Sequence, residues 1–130
     1  MYINKGCELM ISGIGVDTIE LYRIEKLINR NKRFVNRILT LDELSLYENL
    51  KGRRKVEFLA GRFAAKEAIS KALGSGIGKH FSWHSVSILQ KKSGAPHIVW
   101  NHNRCPKNVH ISITHSDTLA IAYVIIEEKK

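Results

Sequence analysis

The stretch FLAGRFAAKEAISKALGSGIG, residues 58–78, decides how this chain folds. Leu59, Phe63, Ser70 and Leu73 recur along one helical stripe, and Phe58, Ala65, Ile69 and Ala72 lie along its neighbour. Gly74, Gly76 and Gly78 then end the helix, because successive glycines favour turns over helix. Lys66 and Glu67 stand oddly in a bed of alanines. Glu67 stacks over Ala60 and Ala64, with Lys71 one turn beyond, so Glu67 and Lys71 form an i, i+4 pair beside small side chains. Two readings follow. One is a solvent-exposed ion pair worth roughly 0.3–0.5 kcal/mol. The other is a metal-ligating carboxylate beside a lysine that meets phosphate. Mg²⁺ takes one or two protein carboxylates and leaves its other positions to water and phosphate.

Upstream of this helix, MISGIGVDTI alternates apolar residues around Gly13 and Gly15 and predicts a first strand closing at Asp17. IELYRIEKLINRN follows as a helix with Ile19, Leu21, Ile24, Leu27 and Ile28 inward and Arg23, Lys26 and Arg30 outward. NKRFVNRILT continues as a second helix or an irregular basic segment. TLDELSLYENL reads as a capped helix in which Thr40 and Glu43 make the capping box. KGRRK is a loop or a helix start. Downstream, HSVSILQ and PHIVWN flank KKSGA as a hairpin with Gly94 in its turn. NVHISITH sets Val109, Ile111 and Ile113 against His110, Ser112 and Thr114, and LAIAYVIIE reads as a more fully buried strand. The fold class is α+β, with helices in the first half and a mainly antiparallel sheet in the second.

At 130 residues the chain is most simply a single domain, residues 1–130. No apolar run approaches the roughly 18 residues needed to cross a bilayer. The start of the chain lacks the apolar core of a signal peptide, so a cytoplasmic location is expected. Cys7 and Cys105 show no metal or redox spacing and read as free thiols without a catalytic role. The 21 Lys+Arg against 12 Asp+Glu give a net charge of +9. Such a surface attracts polyanions: nucleic acid, anionic membrane, a phosphate-rich cofactor or an acidic protein. A basic nucleic-acid-binding module is therefore the alternative from another class. The aromatic–basic interleaving of single-strand platforms and the zinc-finger and RNP signatures are all missing.

A second carboxylate, Asp17, stands at the end of the first strand, where Gly13 and Gly15 leave room around it. Alone it could simply cap the next helix. Two carboxylates from separate elements, a lysine, a glycine loop and several arginines together favour a metal–phosphate site. His115, ending SITH, could reach the same region or be structural. Arg23, Arg30 and Arg33 share one side at spacings of seven and three, which suits either a solvated face or a docking surface.

GIGVDTIELYRI, RFVNRILT, RKVEFLAGRFAAKEAISKALGSGIG and SITHS, in this order, resemble the bacterial holo-acyl-carrier-protein synthases, which are small 4′-phosphopantetheinyl transferases. The resemblance runs from about Met10 to Glu127. It implies the 4′-phosphopantetheinyl transferase fold, and transfer of phosphopantetheine from coenzyme A to a serine of apo-acyl carrier protein in support of fatty acid biosynthesis. It implies Mg²⁺ held by Asp17 and Glu67, with Lys71 stabilising or protonating the departing phosphate. The base that takes the serine proton is Glu67 or a metal-bound water. Coenzyme A contacts carry over to Arg54, Arg62, the loop of Gly74 and Gly76, and His115. Arg23, Arg30 and Arg33 correspond to the face that docks the acidic carrier protein. A homotrimer with sites at its interfaces is also implied, with Asp17 of one subunit joined by Glu67 of the same or a neighbouring one. Members of the family start two or three residues before GIG, so residues 1–9 read as an upstream start choice, a disordered lead or an extra edge segment. On this reading Glu67 faces magnesium and the alanines make room for coenzyme A.

Overall fold

A computed structural model describes residues 8–101 and 108–130. Cys7, Cys105 and Tyr2 lie outside the described residues. Strand β1 (Leu9–Glu20) leads into helices α1 (Leu21–Arg30), α2 (Arg33–Ile38), α3 (Leu41–Glu48) and α4 (Arg53–Leu73). Strands β2 (Val86–Gln90), β3 (Pro96–Trp100), β4 (Asn108–His115) and β5 (Leu119–Lys129) follow. One sheet has the order β1-β5-β4, antiparallel throughout, and β2 and β3 form a separate antiparallel pair.

The first strand is longer than the sequence suggested. Thr18, Ile19 and Glu20 pair with Ile121, Ala120 and Leu119, so β1 closes at Glu20 and Asp17 lies within it. Ile19 is buried in the core as a strand residue, and helix α1 starts only at Leu21. Asp17 therefore caps nothing: Glu20 holds the N-cap position of α1. Leu9 pairs with Lys129 and belongs to β1, as the edge-segment reading of that residue expects.

Helix α4 is the spine, buried along most of its length. It starts at Arg53, five residues earlier than Phe58, after Gly52 turns the chain at a φ of 59°. It ends as expected at Gly74, left-handed at φ 79°, whose N–H donates to the Lys71 carbonyl. Ser75 and Gly76 both donate to the Ser70 carbonyl, which satisfies acceptors of the last turn. The capping box of Thr40 and Glu43 is present at the start of α3. Gly94 turns the β2–β3 hairpin at φ 90°.

Two glycines set the distance between sheet and spine. A Cβ on Gly13 would stand 2.1 Å from the Ala72 carbonyl oxygen, and one on Gly15 only 1.9 Å from that of Ala68. The space beside these glycines is filled by α4 rather than left open around Asp17. At its other end α4 meets β4, where a Cβ on Gly61 would lie 3.2 Å from the Ile113 Cγ2. The helix thus crosses the sheet diagonally, from β4 near its start to β1 near its end. Strand β5 lies between them, and Ala120, Ala122, Val124 and Ile126 pack inward.

Burial of β5 is one-sided. Tyr123 is exposed on the outer face and Ile121 and Ile125 are half-buried, where a fully covered strand was expected. Ile14 and Val16 continue that open apolar face on β1.

Candidate active site

The close seating of β1 on α4 brings Asp17 to the last turns of the helix. The Lys71 ammonium donates to Asp17 Oδ1 at 2.9 Å and to the Val16 carbonyl at 3.2 Å. The sequence paired Lys71 with Glu67 along the helix, whereas the fold hands it to a residue 54 positions away. Glu67 stays close enough to feel both. Burial first, and then the Asp17 charge, push its carboxyl above the ordinary value, while Lys71 pulls the other way. Asp17, Glu67 and Lys71 are therefore one cluster within one chain, built from the interior of β1 and one flank of α4.

Two mutually repelling carboxylates from rigid elements suit a hard divalent cation whose remaining positions go to water and phosphate. Among the described residues no group of three or more His, Cys, Asp or Glu is arranged as a complete protein cage. Gly74 and Gly76 follow Lys71 directly in the exposed turn beyond the helix.

Arg54, Arg62 and His115 meet elsewhere. They line a cavity of about 300 Å³ together with Glu57, Phe58 and Ile113. Arg62 is buried, lies over the Phe58 ring at 3.8 Å, and donates through Nε to the Ile88 carbonyl at 3.1 Å. Its second terminal nitrogen has no partner among the described residues. Burial pulls its pKa down to about 10, against the supporting charge of Glu43. His115 Nε2 stands 3.5 Å from Glu57, which also pairs with Arg53 at 3.5 Å. The cavity lining brings Arg54, Arg62 and His115 together with one carboxylate, Glu57.

His115 joins the arginines and not the Asp17 cluster. Arg62 and Glu67 are five residues apart, about 140° around the helix, so the two groups occupy different flanks of α4. Among the described residues, the cavity lined by Arg54, Arg62 and His115 does not include Asp17, Glu67 or Lys71.

The alanines face neither group. Ala60, Ala64, Ala65 and Ala68 are fully buried against protein, so they leave no room for a ligand. Their small size serves the tight packing of α4 instead.

Sequence reasoning missed the partner of Lys66. This lysine is 0% exposed, and its three donors reach Glu43 Oε1 at 2.6 Å and the carbonyls of Ile38 and Trp83 at 2.7 Å each. Glu43 also accepts from the Thr40 and Ile88 backbone N–H groups. Burial lowers the Lys66 pKa, against the opposing charge and hydrogen bond of Glu43. A signal existed: Lys66 completes the stripe of Leu59, Phe63, Ser70 and Leu73, whose other members are buried or half-buried. Arg23, Arg30 and Arg33 are all exposed, on α1 and at the start of α2.

The sequence profile of the 4′-phosphopantetheinyl transferase superfamily matches residues 13–124. The chain is 52% identical over 118 residues to the holo-[acyl-carrier-protein] synthase of a Geobacillus species, covering 91% of this chain and 98% of that protein. It is 51% identical to that of Listeria monocytogenes, covering 91% and 99%. The crystal structure of the Bacillus anthracis synthase in complex with CoA (3′,5′-ADP) has a TM-score of 0.85 at 47% identity, covering 91% of this chain and 97% of that one. No helix among the described residues is long and apolar enough to cross a membrane. The expected fold class stands, and nothing in these relationships supports a nucleic-acid-binding module.

Proposed function

The chain belongs to the 4′-phosphopantetheinyl transferase superfamily, and from that premise we propose that it is a holo-acyl-carrier-protein synthase. It transfers 4′-phosphopantetheine from coenzyme A to a serine hydroxyl of apo-acyl carrier protein. The serine hydroxyl gives up its proton to a base, for which Glu67 is a candidate, its oxygen bonds to the β-phosphorus, the pyrophosphate P–O bond breaks, and adenosine 3′,5′-bisphosphate leaves with the electron pair. The observation that carries the reading is the cluster of Asp17, Glu67 and Lys71 at the seam of β1 and α4.

Asp17 and Glu67 are the residues that would hold Mg²⁺. When bound, the ion neutralises and orients the pyrophosphate. Lys71 has a flexible stem and a half-exposed head, which lets it meet the charge that builds on the leaving phosphate. Arg54, Arg62 and His115 supply cationic contacts to coenzyme A, and their shared lining of one cavity supports that role. The turn of Gly74 and Gly76 lies beside the phosphate path. Arg23, Arg30 and Arg33 steer and dock the acidic carrier protein, which gives the net charge of +9 a partner.

The separation of the two groups around α4 supports completing each site between copies. So does the outer sheet face, where Ile14 is 57% exposed beside Val16 and Tyr123. We therefore assign a homotrimer in which one subunit brings Asp17, Glu67 and Lys71 and its neighbour brings Arg54, Arg62 and His115. Work in the cytoplasm, in fatty acid biosynthesis, belongs to the same proposal.

The test is intact-mass analysis of an apo-acyl carrier protein incubated with this protein, coenzyme A and Mg²⁺. Gain of one phosphopantetheinyl group is expected, and its loss with EDTA or with Glu67→Ala. A folded Glu67→Ala protein that transfers at full rate would overturn the site assignment.

A further inference from the structure

We infer that Lys71 and the divalent cation compete for the Asp17 carboxylate, so that coenzyme A loads the site by drawing the lysine away. This rests on the reading of Asp17 and Glu67 as metal ligands. Asp17 offers Oδ1 to the Lys71 ammonium at 2.9 Å, and the Val16 carbonyl holds the same ammonium at 3.2 Å. Asp17 is only 16% exposed, while the Lys71 side chain is 51% exposed. The carboxylate is thus fixed by its strand, and the lysine is the partner free to swing out.

A dication held by the Asp17 carboxylate would stand close to the ammonium that this carboxylate now binds through Oδ1, and the two like charges repel. Lys71 must then find another anion, and the coenzyme's phosphate is the one that the reaction brings. Metal and coenzyme therefore bind with positive coupling, part of it carried by the lysine that changes partners. By linkage the coupling is reciprocal, so Mg²⁺ tightens coenzyme A by the same factor.

Two measurements test the exchange. The first is calorimetric titration of Mn²⁺ into wild type and Lys71→Met, each alone and with coenzyme A. Mn²⁺ alone should bind the variant about threefold more tightly or better, as expected for losing an ion pair of this exposure. The tightening caused by coenzyme A should shrink in the variant. Equal or weaker Mn²⁺ binding by Lys71→Met overturns the proposal.

The second follows the Lys71 side chain by NMR in protein labelled at the lysine Cε. Saturating Mg²⁺ should move its signal towards the position that it takes in metal-free Asp17→Asn. A Lys71 signal unmoved by Mg²⁺ overturns the exchange. If wild type still performs Mg²⁺-dependent transfer, only the exchange falls. If it performs none, the underlying reading falls with it.

Discussion

Arg62 shows how much one side chain can be asked to do. Its guanidinium covers the Phe58 ring, donates once to the backbone of β2, and keeps a buried nitrogen without a partner among the described residues. Leaving a buried donor unsatisfied costs stability, and a ligand oxygen placed there recovers it. Arg62→Met should therefore cost no more than about 1–2 kcal/mol in urea denaturation. The same change should raise the KM for coenzyme A about tenfold or more, the worth of a charge-assisted hydrogen bond, with kcat less affected. A variant with unchanged KM and a collapsed midpoint would make Arg62 a purely structural residue. On the proposed reading Lys71 and Glu67 differ from Arg62 in kind: they would hold the reacting end, and their loss should appear in kcat.

At the scale of elements, helix α4 is clamped from two sides. On one side it rests on the glycines of β1, with no room for a methyl group. Gly15→Ala would drive a Cβ into the Ala68 carbonyl, so α4 must lift from β1. The expected cost is about 3 kcal/mol in denaturant unfolding, the upper range for overpacking. Asp17 would separate from Lys71 at the same time, and transfer should fall with stability. An unchanged midpoint would mean that the seat is looser than its distances say. On the other side, Lys66 ties α4 to α2, α3 and the loop before β2 through Ile38, Glu43 and Trp83. Lys66→Met strands the Glu43 charge in the core and should cost about 3–5 kcal/mol. Adding Glu43→Gln removes that charge and should restore about 1 kcal/mol or more, read in a double-mutant cycle. If the second change costs as much again, the pair contributes no coupling.

For the whole molecule, the decisive feature is that α4 carries its two chemical groups on different flanks. A cyclic trimer solves this, because a heterologous contact brings the flank of one copy to the other flank of the next. Co-expressed Glu67→Ala and Arg54→Glu subunits, each inactive alone, should then recover about a quarter of the wild-type rate by random assembly. No recovery in mixed trimers would place both groups of each site in one chain. Tyr123→Glu adds a charge to the open apolar face of the sheet. If the proposed trimer closes through this face, the change should shift the mass measured by sedimentation from trimer towards monomer, with transfer lost in parallel.

The sequence by itself determined the elements whose causes are local. The stripes of α4, the glycines that end it, the Thr40–Glu43 box and the alternation of β4 all depend on neighbours a few positions away. The residue types of the candidate site were legible for the same reason, since Asp17 in GIGVD and Glu67 in AAKEA each stand in a short run. What the chain could not state were the long-range pairings. Asp17 lies inside its strand because β5 extends the pairing, and Lys71 meets Asp17 because two glycines let α4 sit on the backbone of β1. Lys66 found Glu43, and the alanines turned inward, because α4 is enclosed by packing on most sides. Tertiary structure decided those matters. Burial and distance are properties of elements brought together, and no period along a single element encodes them.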